Sequence, residues 1–189
     1  MSAVPVRSAI LGAPAQRSFY CADCQLTHLR AMKKVCEAIA TRDTLVVFVD
    51  GSCKNNRHPR LPPQAGVGVY FGPCSQYNFS RRVPVSEPQS STCAEVYAAF
   101  AATVFIRGKY QLGNQSSIKK VLLVTASDHL VQVMSNRSFG ERPESGLLRG
   151  LEARITAMAK DGLEVEFCLI SRNENKEADK LARASVKDA

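Results

Sequence analysis

A mixed α/β fold, one sheet with helices packed on it, is what this sequence predicts. Two continuous apolar, β-branched runs, TLVVFVD at 44–50 and KVLLVTA at 120–126, have the pattern of strands buried within a sheet. Between and after them lie segments whose apolar residues recur at helical spacing. The resulting order, βββαβααβα, interleaves strands and helices as a mixed sheet requires.

Taken in order, residues 1–18 read as a disordered or targeting tail. They carry Arg7 and Arg17, several serines and alanines, and no acid, while Pro5 and Pro14 interrupt any helical stripe. Residues 19–43 form a cysteine-containing helical appendage, with Leu29, Met32, Val35, Cys36 and Ile39 striped along a helix over 27–40. The main domain, 44–187, begins with the strand at 44–50, which ends in Asp50-Gly51. A polar, proline-bearing loop follows. A second strand at 65–72 and a third at 77–85, with Pro84 near its end, complete an antiparallel meander. The Ala-rich segment 91–106 is apolar on most faces, so it is a buried helix. After the strand at 120–126 come a short helix from Ser127 and a longer one over 146–160, striped by Leu147, Leu148, Leu151, Ile155 and Met158. A fifth strand spans 163–171 and a last helix 175–186.

Composition narrows the class of function. With 45% hydrophobic and 22% charged residues among 189, the chain has the balance of a globular protein. No apolar run approaches the ~18–20 residues that span a bilayer, so no membrane partner is expected. A formal charge of +8 favours a polyanionic partner, nucleic acid above all, against a merely solvated basic surface. Seven cysteines without a secretory signal point to a reducing intracellular compartment, nuclear or cytoplasmic, with mitochondrial targeting by the tail left open. Nothing in the pattern calls for an obligate protein partner.

Acids fall where chemistry in such folds is done. Asp50 ends the first strand, Glu95 sits in the first turn of the buried helix, and Asp179 opens the terminal helix. If the first and fourth strands are neighbours, the three converge beside Ala126. Each has a structural alternative: Asp50-Gly51 as a turn, Thr92-x-x-Glu95 as a capping box, Asp179 as an acid at a helix start. Together they suit a divalent ion, because Mg²⁺ prefers carboxylate oxygens and a pair of ions can clamp an in-line phosphoryl displacement.

The stretches FVDGSCKNN, AGVGVYFG, SSTCAEVYAAFAA, VLLVTASDHLVQVM and ISRNENKEADKLAR, in this order over about 44–187, resemble type 1 ribonuclease H, and fungal ribonuclease H-like proteins in particular. The resemblance implies a ribonuclease H-like fold, a five-stranded mixed sheet in order 3-2-1-4-5 flanked by helices. It also implies cleavage of the RNA strand of an RNA–DNA hybrid, leaving a 5′-phosphate, with two Mg²⁺ or Mn²⁺ ions. Asp50, Glu95 and Asp179 match three of the family's catalytic metal ligands. The fourth, an aspartate in the family's TDS triplet, is Ala126 here. Substrate contacts are implied at Ser52, Asn55, Asn56, Ser91, Thr92 and Ser127. The segment SNRSFGERPESG is short and lacks the tryptophans many relatives carry there. The expectation is therefore a hybrid ribonuclease weakened at Ala126, with a module that binds hybrid or duplex without cutting as the alternative.

Other groups are secondary. Asp128, two residues past Ala126, points about 200° away around a helix axis and reads as an acid at a helix start; His129 reads as a surface or groove residue. Cys21 and Cys24 form half of a zinc site that His28 and Cys36 complete, against the alternative of reduced cysteines around a short helix. Lys54, Arg57, His58, Arg60, Arg81 and Arg82 are candidates to grip phosphates from the loops around the first strands.

Overall fold

The computed structural model describes residues 8–9, 19–21, 26–28, 30–56, 58, 60–109 and 117–187. Along the chain these form β1 (Ser8–Ala9), β2 (Phe19–Cys21), β3 (Leu26–His28), α1 (Arg30–Ala40), β4 (Thr44–Lys54), β5 (Gln64–Tyr70) and β6 (Phe79–Arg82). Then follow α2 (Ser91–Lys109), β7 (Lys120–Thr125), α3 (Asp128–Asn136), α4 (Ser145–Lys160), β8 (Glu164–Leu169), a 3₁₀ turn (Arg172–Glu174) and α5 (Lys176–Ser185). The main sheet has the order β1-β8-β7-β4-β5-β6. Its five domain strands, β6-β5-β4-β7-β8, reproduce the 3-2-1-4-5 order: β5 and β6 run antiparallel beside β4, while β7 and β8 run parallel to it.

Alternation along β4 sorts the core onto two faces. Val47 and Val49 are wholly buried in the larger cluster, with Ala98 and Ala102 of α2, Leu130 of α3 and Leu151 of α4. Val46 and partly buried Phe48 point the other way and join Leu122, Val124, Cys168 and Ile170. Such strands, buried on both sides, carry the unbroken apolar runs seen in the sequence. Removing Val47, Val35 or Leu123 from water contributes about 1.5–3 kcal/mol each.

Two expectations about the N-terminal region change. The helical stripe begins at Arg30, not at 27, because Leu26–His28 pairs antiparallel with Phe19–Cys21. The helix set apart as an appendage is part of the packing: Met32 and Val35 of α1 close the second face of the sheet, and Lys34 reaches Glu166 at 2.9 Å. Within the stretch expected to be unstructured, Ser8–Ala9 pairs parallel with Phe167–Cys168 at the sheet edge; residues 1–7 and 10–18 lie outside the described residues. No helix among the described residues is long and apolar enough to cross a membrane.

Two glycines set how closely the helices approach. A Cβ on Gly51 would collide with the backbone of Ala94 and Glu95, so its absence seats the start of α2 on β4. A Cβ on Gly68 would collide with the Ala178 carbonyl and the Ala182 amide, so α5 lies directly on β5. Gly68 is the cross-strand partner of Asp50. The helix that carries Asp179 therefore packs over the face to which Asp50 points.

Candidate active site

Asp50 lies inside β4, which runs on to Lys54 beyond the expected strand end, and only 4% of it is exposed. Its Oδ1 accepts a hydrogen bond of 3.2 Å from Nδ2 of Asn175, which also donates to the Val49 carbonyl at 3.0 Å. Asn175, 1% exposed, stands where α5 begins, yet its side chain does not cap the helix; it ties the helix start to β4. The Asn175 Oδ1 has no partner among the described residues. Burial pushes the Asp50 carboxyl up to about 7 from its usual 3.8, and the nearby charges of Asp179 and Glu95 push the same way. Arg172 and the Asn175 hydrogen bond oppose them.

Register explains the position of Ala126. The parallel pairs of β4 and β7 end at Val49–Thr125. Continued by one residue, that register sets Ala126 beside Asp50, just where the strand gives way to a bend. Ser127 follows, 5% exposed, as the N-cap of α3, accepting the Leu130 amide at 3.3 Å. Its hydroxyl donates a very short hydrogen bond to Oε2 of Glu95. Glu95 also faces Arg172, whose Nη2 is 3.8 Å from Oε1.

Glu95 lies in the second turn of α2, since the helix starts at Ser91. The cap is Ser90, whose Oγ accepts the Cys93 amide at 3.1 Å. The Thr92–Glu95 capping box is thus replaced, and Glu95 is left to face Ser127 and Arg172. Asp179 sits in the first turn of α5 and pairs with Arg183 one turn later, Nε to Oδ2 at 2.8 Å. A cleft of about 460 Å³ is lined by Asp179 together with Ser52, Lys54, Ser91, Arg172, Arg183 and Lys187 among others.

The expected substrate-contact residues divide. Ser52 and Ser91 line the cleft. Asn55, Asn56 and Thr92 are not among its walls. Asn55 shapes the loop after β4, with a positive φ of 60° and its amide on the Pro62 carbonyl at 3.3 Å, and Asn56 is exposed in the same turn. Ser127 is a buried helix cap rather than an open contact. Of the basic candidates, Lys54 borders the cleft, but Arg82 donates to the Ser185 carbonyl at 3.3 Å and Arg81 stacks over Phe79. His58 accepts the Arg60 and Leu61 amides at 3.2 and 3.1 Å, a loop-shaping role. Arg57 lies outside the described residues. Asp128 is exposed and accepts from Gln132 at 2.5 Å, a local helix contact. His129 lies 3.1 Å from Glu144, an acid only 6% exposed that sequence reasoning passed over.

Sequence reasoning also missed Asn175, Arg172 and Arg183. Asn175 was legible as the first letter of the N-x-x-A-D pattern; the arginines needed the fold. Arg172 is held in place by Ser171 and Glu174, which cap the 3₁₀ turn reciprocally. The zinc set falls outside what is described: Cys24 and the side chains of Cys21 and His28 are not among the described residues, and Cys36 lies on α1.

The carboxylates are chemically suited to Mg²⁺ or Mn²⁺, being hard oxygen donors. Their arrangement is not that of a two-ion centre. Among the described residues no three His, Cys, Asp or Glu side chains gather as a ligand group. Asp179 is engaged by Arg183, Glu95 by Ser127, and the register position beside Asp50 is alanine.

No known family profile matches the chain. It is 27% identical to ribonuclease H1 of Homo sapiens over 158 residues, 78% of this chain and 51% of that protein. It is also 27% identical to ribonuclease H1 of Mus musculus over 170 residues, 80% of this chain and 56% of that protein. The chain thus spans about half the length of the curated relatives it matches. Among solved structures, RNase H1 from the halophilic archaeon Halobacterium salinarum NRC-1 superposes with a TM-score of 0.53 at 16% identity, over 77% of this chain and 99% of that one. LC11-RNase H1, solved in complex with RNA/DNA hybrid, superposes with a TM-score of 0.56 at 20% identity, over 75% and 95%. The fold is ribonuclease H-like.

Proposed function

We propose that this chain, a relative of the type 1 ribonucleases H in sequence and in fold, recognises RNA–DNA hybrids and hydrolyses their RNA strand slowly, the rate being held down by Ala126. What supports this reading is that Asp50 feels the charges of Asp179 and Glu95, that Asp179 lines a cleft with basic walls, and that the strand register sets Ala126 next to Asp50. In this reading the duplex backbone lies along Lys54, Arg172 and Arg183. Ser52 and Ser91 offer hydroxyls to the ribose 2′-OH, the group that tells an RNA strand from DNA. Hydrolysis adds water at phosphorus, breaks the P–O3′ bond and leaves a 5′-phosphate. Asp50 and Glu95 orient the water, and Arg172 balances charge that builds on the phosphoryl oxygens. Without an acid at 126, one fixed charge aimed at the reacting group is missing, a loss that costs about 10²–10⁴-fold in rate.

A second reading, binding without cleavage, is favoured by one feature: Asp179 and Glu95 already face arginines. One assay separates the two. A labelled hybrid is incubated with the full chain in Mg²⁺ or Mn²⁺, beside Asp50→Asn and Ala126→Asp. Slow cleavage that Asp50→Asn abolishes and Ala126→Asp accelerates supports the nuclease. Binding with no cleavage by either the natural chain or Ala126→Asp leaves only the binding module, and absence of hybrid binding removes both.

A further inference from the structure

The two arginines that face acids in the cleft are only partly used by them. Arg183 meets Asp179 through Nε, one edge of a planar fork, and its side chain is 63% exposed. Arg172 meets Glu95 through Nη2 at the long distance of 3.8 Å, with 67% of its side chain exposed. Ion pairs so open to water are weak and do not hold an arginine away from a better anion. Phosphate is such an anion, because the guanidinium fork matches two of its oxygens at once.

The backbone that carries each side chain is fixed from below. Arg172 projects from the 3₁₀ turn fixed by Ser171 and Glu174, the Ser171 amide and hydroxyl donating to Glu174 at 3.2 and 2.8 Å. Arg183 stands on α5, which is pressed onto the sheet at Gly68 and stapled to β4 by Asn175. They come from separate elements and line the same cleft, with Lys54 and Lys187 beside them. By partly neutralising the acids they touch, the arginines lessen the repulsion that a phosphodiester would meet there.

We propose that Arg172 and Arg183 form a phosphate clamp which holds a nucleic-acid backbone across the cleft with no divalent ion needed for binding. The clamp does for affinity what the incomplete carboxylate set does not do through metal. It rests on the reading of the cleft as the nucleic-acid site, and it concerns binding rather than cleavage.

The test is fluorescence anisotropy of a short labelled RNA–DNA hybrid with the full chain, in EDTA and in Mg²⁺, across a salt series. The clamp predicts affinities within about twofold of each other in the two buffers. Each of Arg172→Gln and Arg183→Gln should weaken binding in EDTA by about tenfold, the worth of a charge-assisted contact. Each should also lower the slope of log affinity against log salt by about 0.7–0.9, the signature of one lost phosphate contact. Both residues are surface side chains, and a melting curve for each variant checks that it is folded. Binding that EDTA abolishes, or folded variants that bind as the natural chain does with unchanged slope, overturns the clamp while leaving the hybrid reading standing. A natural chain that binds hybrid in neither buffer overturns the hybrid reading first, and the clamp with it.

Discussion

Two buried carboxylates sit on the same face of the same sheet and behave in opposite ways. Glu166 on β8 is 7% exposed and Asp50 on β4 is 4% exposed. Burial raises the pKa of both. At Glu166, Lys34 at 2.9 Å and Lys120 at 3.5 Å outweigh that burial, and the carboxyl is held below its ordinary 4.5. At Asp50 the neighbours are mainly other acids, and the carboxyl rises to about 7. Glu166 fastens α1 to the sheet and stabilises the fold. Asp50 is kept at a cost in stability, as is common where carboxyls are gathered for chemistry or for ligands. The same burial thus ends in a lowered or a raised carboxyl pKa, according to the sign of the charges that surround it.

The largest effect comes from making the contrast greater. Ala126→Asp adds a fourth acid beside Asp50; hybrid cleavage in Mg²⁺ should rise about 10²–10⁴-fold, and the melting temperature at pH 8 without metal should fall. An unchanged rate would show that more than this position limits the site.

Asp50→Asn removes the strained acid. A carboxyl raised in the folded state weakens the fold as pH climbs from its unfolded value near 3.8 through 7. The variant should therefore be more stable than the natural chain at pH 8, by about 2–4 kcal/mol at roughly 1.4 kcal/mol per unit, and the gain should shrink toward zero near pH 4. Urea unfolding at both pH values measures this. A destabilised Asn variant at pH 8 would mean that Asp50 is held by favourable contacts after all.

Glu166→Gln should have the smaller effect, with the opposite sign. A depressed carboxyl contributes stability that is present above its unfolded value near 4.5 and is lost as pH falls through the lower folded value. The variant should lose about 1–2 kcal/mol at pH 7, since Lys34 and Lys120 are each about a third exposed and the pairs are partly screened. Its stability should also decline less than that of the natural chain between pH 5 and pH 3. Parallel acid limbs for the two proteins would remove Glu166 from the account.

Much of the fold was legible because its signals are local. The runs of β4 and β7 and the stripe of α4 follow from side-chain alternation and helical spacing, which need no knowledge of partners. The chain positions of Asp50, Glu95, Asp179 and Ala126 were legible from the same patterns, although β4 runs on past Asp50 to Lys54 and Glu95 falls in the second turn of α2. Less legible was the start of α1, where pairing of Leu26–His28 with Phe19–Cys21 overrides a helical stripe. The capping box at Thr92 failed because Ser90 takes the cap.

By itself, then, the sequence determined most of the strands and helices of the main domain and where Asp50, Glu95 and Asp179 fall along them, because periodicity and chain order suffice for these. Only the tertiary structure decided what each acid meets. Asn175 reaches Asp50 across 125 residues and Ser127 reaches Glu95 across 32. Arg172 stands by Glu95, Arg183 by Asp179, and α1 covers the second face. The charge a carboxyl feels depends on distances in space, and those exist only once β4, β7 and α5 have been packed together.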